Sequence, residues 1–149
     1  MKICLIAVVT YWHGIKGGME VHGRLLAREL AAKGHDVTFI TSRHPSGQET
    51  DVKEGVALYY LRRTELGLPK GLWSSECSRQ FEILHQNKPF DVICCQHTVA
   101  PHALMRFAQH QNIPVVVIIE GLAGWVFLSE IRQAFSHHKG YGQLGRRLL

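Results

Sequence analysis

The sequence has no apolar run long enough to cross a membrane as a helix. Its longest internal one, residues 115–119, is far short of the roughly 20 residues a span needs. The opening MKICLIAVVT carries one lysine and then seven apolar residues. No small-residue cleavage site follows, so it reads as a first strand and not as a leader. The four cysteines, Cys4, Cys77, Cys94 and Cys95, form neither a CxxC pair nor a disulfide framework. That excludes a stapled secreted scaffold and leaves buried, reduced thiols in a cytoplasmic protein. Also missing are GxxxxGK[ST], GxSxG, HExxH, and a GxGxxG directly after the first strand with an acid closing the second. Thr41, Ser42 and Arg43 stand where that acid belongs. P-loop, dinucleotide and nucleophilic-serine chemistry fall with these motifs. The ten histidines show no metal-ligand spacing, so no metal is expected. Basic residues are not clustered with aromatics on one element, which argues against nucleic acid.

What is present is ordinary globular composition, 46% hydrophobic and 19% charged over 149 residues, enough chain for one domain with a real core. Seventeen Lys and Arg against twelve acids give +5. That field suits phosphate-bearing partners or an anionic membrane surface, unless a larger protein balances it elsewhere.

Strand-like and helix-like segments alternate. Residues 2–9 form an apolar, β-branched run, as in a strand covered on both faces. From Gly18 the period becomes helical, with Met19, Gly23, Leu26, Ala27 and Leu30 on one face and Glu20 placed to pair with Arg24. Lys33 and Gly34 end that helix, and 37–41 begins a second strand. Residues 42–55 read as a long polar, mobile loop. VALYYL, a helix over about 72–87 with Cys77, Phe81 and Leu84 inward, KPFDVICC, a helix from APHALM, and IPVVVII complete the series. The expectation is an α/β, Rossmann-like three-layer α/β/α domain over 1–149, with a parallel five-stranded sheet in the order 3-2-1-4-5.

In such a sheet ligands gather at the carboxyl ends of the strands. The loops there bring Thr10, His13, Lys16, Gly17, Gly18, Arg43, His44, Gln96, His97, Glu120 and Gly121 to one edge. Gly17 and Gly18 open the first helix, where Ser or Asp would cap better. Two readings stand side by side. The glycines let an anion approach the helix N-terminus beside Lys16, or they form a turn that needs positive φ.

The stretch GGMEVHGRLLARELAAKGHDVTFIT, followed by KPFDVICCQH and NIPVVVIIEG, resembles the amino-terminal half of family 4 (group 1) nucleotide-sugar glycosyltransferases of the two-Rossmann-domain, GT-B type. The resemblance covers nearly the whole chain to about Gly121. It implies transfer of a sugar from a nucleotide diphosphate donor to an acceptor, with retention and without a metal or cofactor. Lys16, Gly17 and Gly18 would then face the donor phosphates, and His13, Arg43, His97 and Gly121 the acceptor side. Glu120 stands where many relatives carry a histidine against the donor sugar, which makes it the catalytic candidate. The family's carboxyl-terminal donor-binding domain is absent from these 149 residues. The resemblance therefore implies a partner domain, contact with a membrane's inner surface as one option, and no transfer by this piece alone. The competing expectation is a non-enzymatic α/β module that binds a small anionic ligand at the same cleft.

Overall fold

The computed structural model describes residues 1–96 and 102–119. Strands β1 (Lys2–Ile6), β2 (Asp36–Ser42), β3 (Thr50–Lys53), β4 (Val56–Leu61), β5 (Val92–Gln96) and β6 (Val115–Ile118) alternate with helices α1 (Gly18–Ala32), α2 (Trp73–Asn87) and α3 (His102–His110). One sheet contains all six strands in the order β3-β4-β2-β1-β5-β6. Every pairing is parallel except β3 with β4. Without β3, the order of the five parallel strands is the expected 3-2-1-4-5.

The sixth strand corrects the expectation for 42–55. Thr50–Lys53 turns back on β4 through Glu54 and Gly55, both at positive φ (54° and 80°), the conformation of a two-residue hairpin turn that matches strand twist. Glutamate is an unusual residue there. Its side chain is held from α1, where Arg24 donates from Nε at 2.7 Å and from Nη2 at 2.5 Å to the two carboxylate oxygens. Arg24 thus pairs with Glu54 and not with Glu20, so the expected pair within the helix does not form. As an edge strand, β3 carries an exposed Val52 between charged neighbours, and its alternation is too weak to read as buried strand.

Strands β1, β2, β4 and β5 bury both faces, and alternate residues feed two cores, whereas β6 at the end of the sheet leaves Val116 and Val117 exposed. Ile3, Leu5, Val37, Phe39, Val56 and Leu58 pack beneath α1. Cys4, Ile6, Ile40, Ile93 and Cys95 meet Trp73, Cys77 and Phe81 of α2 and Leu104 and Ala108 of α3 on the other face. Phe81 stacks on Phe90 at 5.3 Å and meets Phe107 edge-on at 5.9 Å. All four cysteines are free and buried, as their spacing suggested.

Gly23 and Ala27 are the residues that α1 buries fully. A Cβ on Gly23 would lie 2.5 Å from Oε1 and 2.6 Å from Nε2 of Gln96, a residue at the end of β5 that is itself buried. The glycine therefore leaves the space that the Gln96 amide occupies against α1. Gly18, at the start of the same helix, would present a Cβ to nothing within 4 Å. Alanine normally favours a helix over glycine by about 1 kcal/mol, so the two positions should respond oppositely. Gly18→Ala should be neutral or mildly stabilising. Gly23→Ala should lose about 1–3 kcal/mol through overpacking. Denaturant unfolding of both variants checks this, and a Gly23→Ala protein as stable as the parent would remove the close seating as a constraint.

Candidate functional site

The chain leaves β1 at Ile6 but stays tied to β2 for two more residues. The Ala7 amide donates to the Ile40 carbonyl, and the Val8 carbonyl accepts from the Ser42 amide and hydroxyl and from the Thr41 hydroxyl. A 3-10 turn, Tyr11–His13, follows and ends at Gly14 with φ 84°. Two histidines then clasp this loop to the end of β2. The Thr10 amide donates to His13 Nδ1 at 3.1 Å, so the ring proton sits on Nε2 and is donated to the Ser42 carbonyl at 3.1 Å. Reciprocally, His44 Nδ1 accepts from the Ser46 amide, and its Nε2 donates to the Trp12 carbonyl at 3.1 Å. The rings stack at 5.7 Å, and Tyr60 meets both edge-on. Burial lowers the His13 pKa, an effect that its backbone hydrogen bonds only partly offset. Burial also pushes the Tyr60 phenol up to about 12. His13 is thus a neutral, buried fastener at 7% exposure.

Beyond the clasp, the turn after β4 folds over the sheet. Thr64 donates its hydroxyl to the Leu61 carbonyl and accepts the Arg43 amide, and the Gly67 amide points at the Ser42 hydroxyl at 3.4 Å. Gly67 adopts φ 75°, and a Cβ there would press on Val9 at 3.3 Å. Beneath this turn lies a cavity of about 290 Å³ lined by Ala7, Val8, Val9, Met19, Glu20, Gly67, Pro69 and Gln96. It opens between the ends of β1 and β5. There the connections diverge, α1 after β1 crossing one face of the sheet and α3 after β5 the other, which is the topological switch point where open α/β sheets bind ligands.

The start of α1 stands beside this cavity. Gly17, the N-cap, has φ −77° and no side-chain cap, and neither it nor Gly18 lies in the left-handed region. The positive-φ reading of the pair is therefore wrong: the backbone here accepts any residue. A Cβ on Gly17 would run into the Glu20 carboxylate, and one on Gly18 would meet open space. Among the described residues the first amides of α1 donate to no acceptor, and they stand at the positive end of the helix dipole.

Residues 17–148 match the glycosyl transferase 4-like domain. The chain belongs to that family. No curated protein matches it. Among solved structures, this glycosyl transferase 4-like domain is similar to sucrose-phosphate synthase from Thermosynechococcus elongatus, at 20% identity and a TM-score of 0.70. The match covers 89% of this chain and 36% of that one, so the chain spans about a third of that protein's length and shares its fold over that span.

The residues named from sequence do not all converge. Lys16 is exposed, with its ammonium 6.0 Å from the Tyr11 ring centre. Arg43 lies outside the clasp, lining a separate hollow with Gly47, Gln48 and Arg62. His97, Glu120 and Gly121 fall outside the described residues. Met19, Glu20, Gly67 and Pro69 line the cavity without having been singled out for it. Of these, only Glu20 carried a signal, as an acid in the first turn after a glycine pair. Burial raises the thiol pKa of Cys4, Cys77 and Cys95, the last to about 12, so none is an activated nucleophile.

The clasp predicts acid sensitivity. With its pKa lowered in the fold, His13 binds its proton more readily in the unfolded chain, whose value is near 6.5. The stability it supplies is complete above that pH and is lost as pH falls below it. Burial lowers His85 as well, so the slope has two sources. Denaturation midpoints measured from pH 7.5 to 5 should fall in the parent and fall less in His13→Gln. Parallel curves would show that His13 is not a source.

Proposed function

We propose that this domain is the acceptor-side half of an enzyme that moves a sugar from a nucleotide diphosphate donor to an acceptor, and that the start of α1 receives the donor's phosphates. The carrying observation is Gly18: it is in ordinary helical geometry, faces open space, and stands at an uncapped helix N-terminus beside the switch-point cavity. The fold does not require glycine there, whereas a phosphate coming up to the amides does.

The chemistry follows from charge. As the bond from the sugar's anomeric carbon to the diphosphate breaks, its electron pair stays on the phosphate oxygen. The acceptor oxygen forms the new bond and passes its proton to the departing diphosphate oxygen. Fixed N–H dipoles aimed at that phosphate stabilise the developing charge without reorganising. Lys16, on the exposed loop just before the helix, adds long-range attraction. In this reading the apolar cavity under Gly67 and Pro69 excludes water next to those amides. A second domain supplies the nucleotide pocket and closes the cleft. The outcome is retaining and needs no metal, and the 149 residues alone transfer nothing, because catalysis depends on holding both substrates together.

The experiment is Gly18→Val in the full-length protein. Transfer should fall about 100-fold to 1000-fold, the usual cost of losing one well-placed donor to a developing oxyanion. The melting temperature should stay native-like, because the site is open. Full activity with native melting would remove the phosphate role. A loss of activity matched by a loss of stability would return the glycine to a structural one.

A further inference from the structure

A second concavity lies on the flank of the domain, between α2 and the β3–β4 hairpin. It encloses about 700 Å³ and shares no lining residue with the strand-end cavity, a size typical of ligand sites. Three arginines reach it from two elements. Arg62 and Arg63 follow β4 directly, and Arg79 comes from the second turn of α2.

Their surroundings leave hydrogen-bonding capacity in reserve. Arg62 contacts Glu49 through Nη1 at 3.1 Å, and Arg63 contacts Glu76 through Nη1 at 3.6 Å. Both arginine side chains are largely exposed, at 72% and 66%, where such pairs contribute little. Each guanidinium has five N–H donors in a planar fork, and one carboxylate contact leaves most of them unused. Arg79 makes no ion pair among the described residues. The two carboxylates therefore orient two arginines without neutralising the third. The walls are not uniformly polar. Tyr59 of β4 lines the groove, and Ile83, one turn beyond Arg79 on α2, is 42% exposed within it.

We infer that this groove is a second anion site that binds a phosphate group carried on an organic moiety. The arginine forks hold the phosphate oxygens, and the Tyr59 and Ile83 wall takes the attached carbon skeleton. Guanidinium forks match phosphate oxygens bidentately, which single ammonium groups do not. Two sources offer that chemistry, a free phosphorylated metabolite and an anionic lipid headgroup. The site does not depend on the reading of the Gly18 region.

The test measures pyrophosphate binding calorimetrically at low salt, and co-flotation with phosphatidylserine vesicles against phosphatidylcholine vesicles. It uses the parent, Arg79→Gln, Arg62→Gln/Arg79→Gln, Gly18→Val and the off-groove control Lys33→Gln. Arg79→Gln breaks no ion pair, which keeps one informative variant if the double variant proves unstable. At least one probe should bind the parent and lose about tenfold or more in affinity or recovery in the arginine variants. The same probe should keep its groove binding in Lys33→Gln, whereas Gly18→Val removes only the share of pyrophosphate held at the start of α1. Loss confined to pyrophosphate identifies a soluble ligand, and loss confined to phosphatidylserine vesicles a headgroup. Arginine variants that bind both probes as the parent does, or an equal loss in Lys33→Gln, would overturn the proposal. A parent that binds neither probe would do the same.

Discussion

The geometry of this domain depends on how α1 lies on the sheet, and a missing atom leaves room for a buried side chain between them. Gly23 has no Cβ where the Gln96 side chain lies, so the helix settles against the ends of β1 and β5. A helix seated further out would carry its N-terminus away from the switch point and widen the gap under Met19 and Glu20. Close packing leaves little freedom to relax, because an interior this dense transmits a displacement to the next layer. One position in the middle of α1 thereby fixes what stands at its beginning.

The second device works on the loop. A connection that leaves the end of a buried strand must satisfy its polar backbone groups without a ladder partner. Here the Ser42 and Trp12 carbonyls are satisfied by His13 and His44, each histidine reaching across to the other's segment. The exchange makes the ends of β1 and β2 one rigid platform. The turn around Thr64 and Gly67 builds on that platform through Ser42 and Arg43. A rigid rim of this kind suits a site that must present backbone dipoles in fixed positions, because electrostatic stabilisation is greatest where no reorganisation is needed. It also spends two imidazoles on structure, and those side chains are then closed to ligand chemistry.

Charge follows a different logic from packing. The buried residues are almost all apolar or small and polar, while three arginines, Arg62, Arg63 and Arg79, share the flank beside α2. Arg24, partly covered over the Tyr11 ring at 4.5 Å and locked onto Glu54, serves the fold by holding a glutamate in a conformation it otherwise avoids. Arg62, Arg63 and Arg79 hold nothing of the kind. The same residue type does structural work in one place and leaves binding capacity in another, and only the neighbouring carboxylates distinguish the two.

The sequence by itself determined the layered architecture. Apolar runs such as CLIAVV and VVVII read as strands, the period from Gly18 to Leu30 as an amphipathic helix, and their alternation as parallel crossovers, although β6 leaves Val116 and Val117 exposed where the sequence reads a covered strand. It also carried the glycine pair at the start of α1, because a poor helix former at a helix start is visible without coordinates. Tertiary structure decided the rest. The β3 edge strand depends on a turn stabilised from α1, a contact 30 residues away. Whether His13 faces a ligand or a carbonyl depends on where Ser42 ends up. The partner of Arg24 is chosen by the sheet's register and not by helical spacing. Gly67 and Pro69 enter the cavity only because Thr64 folds their turn over the strand ends. Local periodicity records which face of an element is buried, whereas the identity of what buries it is a property of chain segments far apart in sequence, and no local pattern contains it.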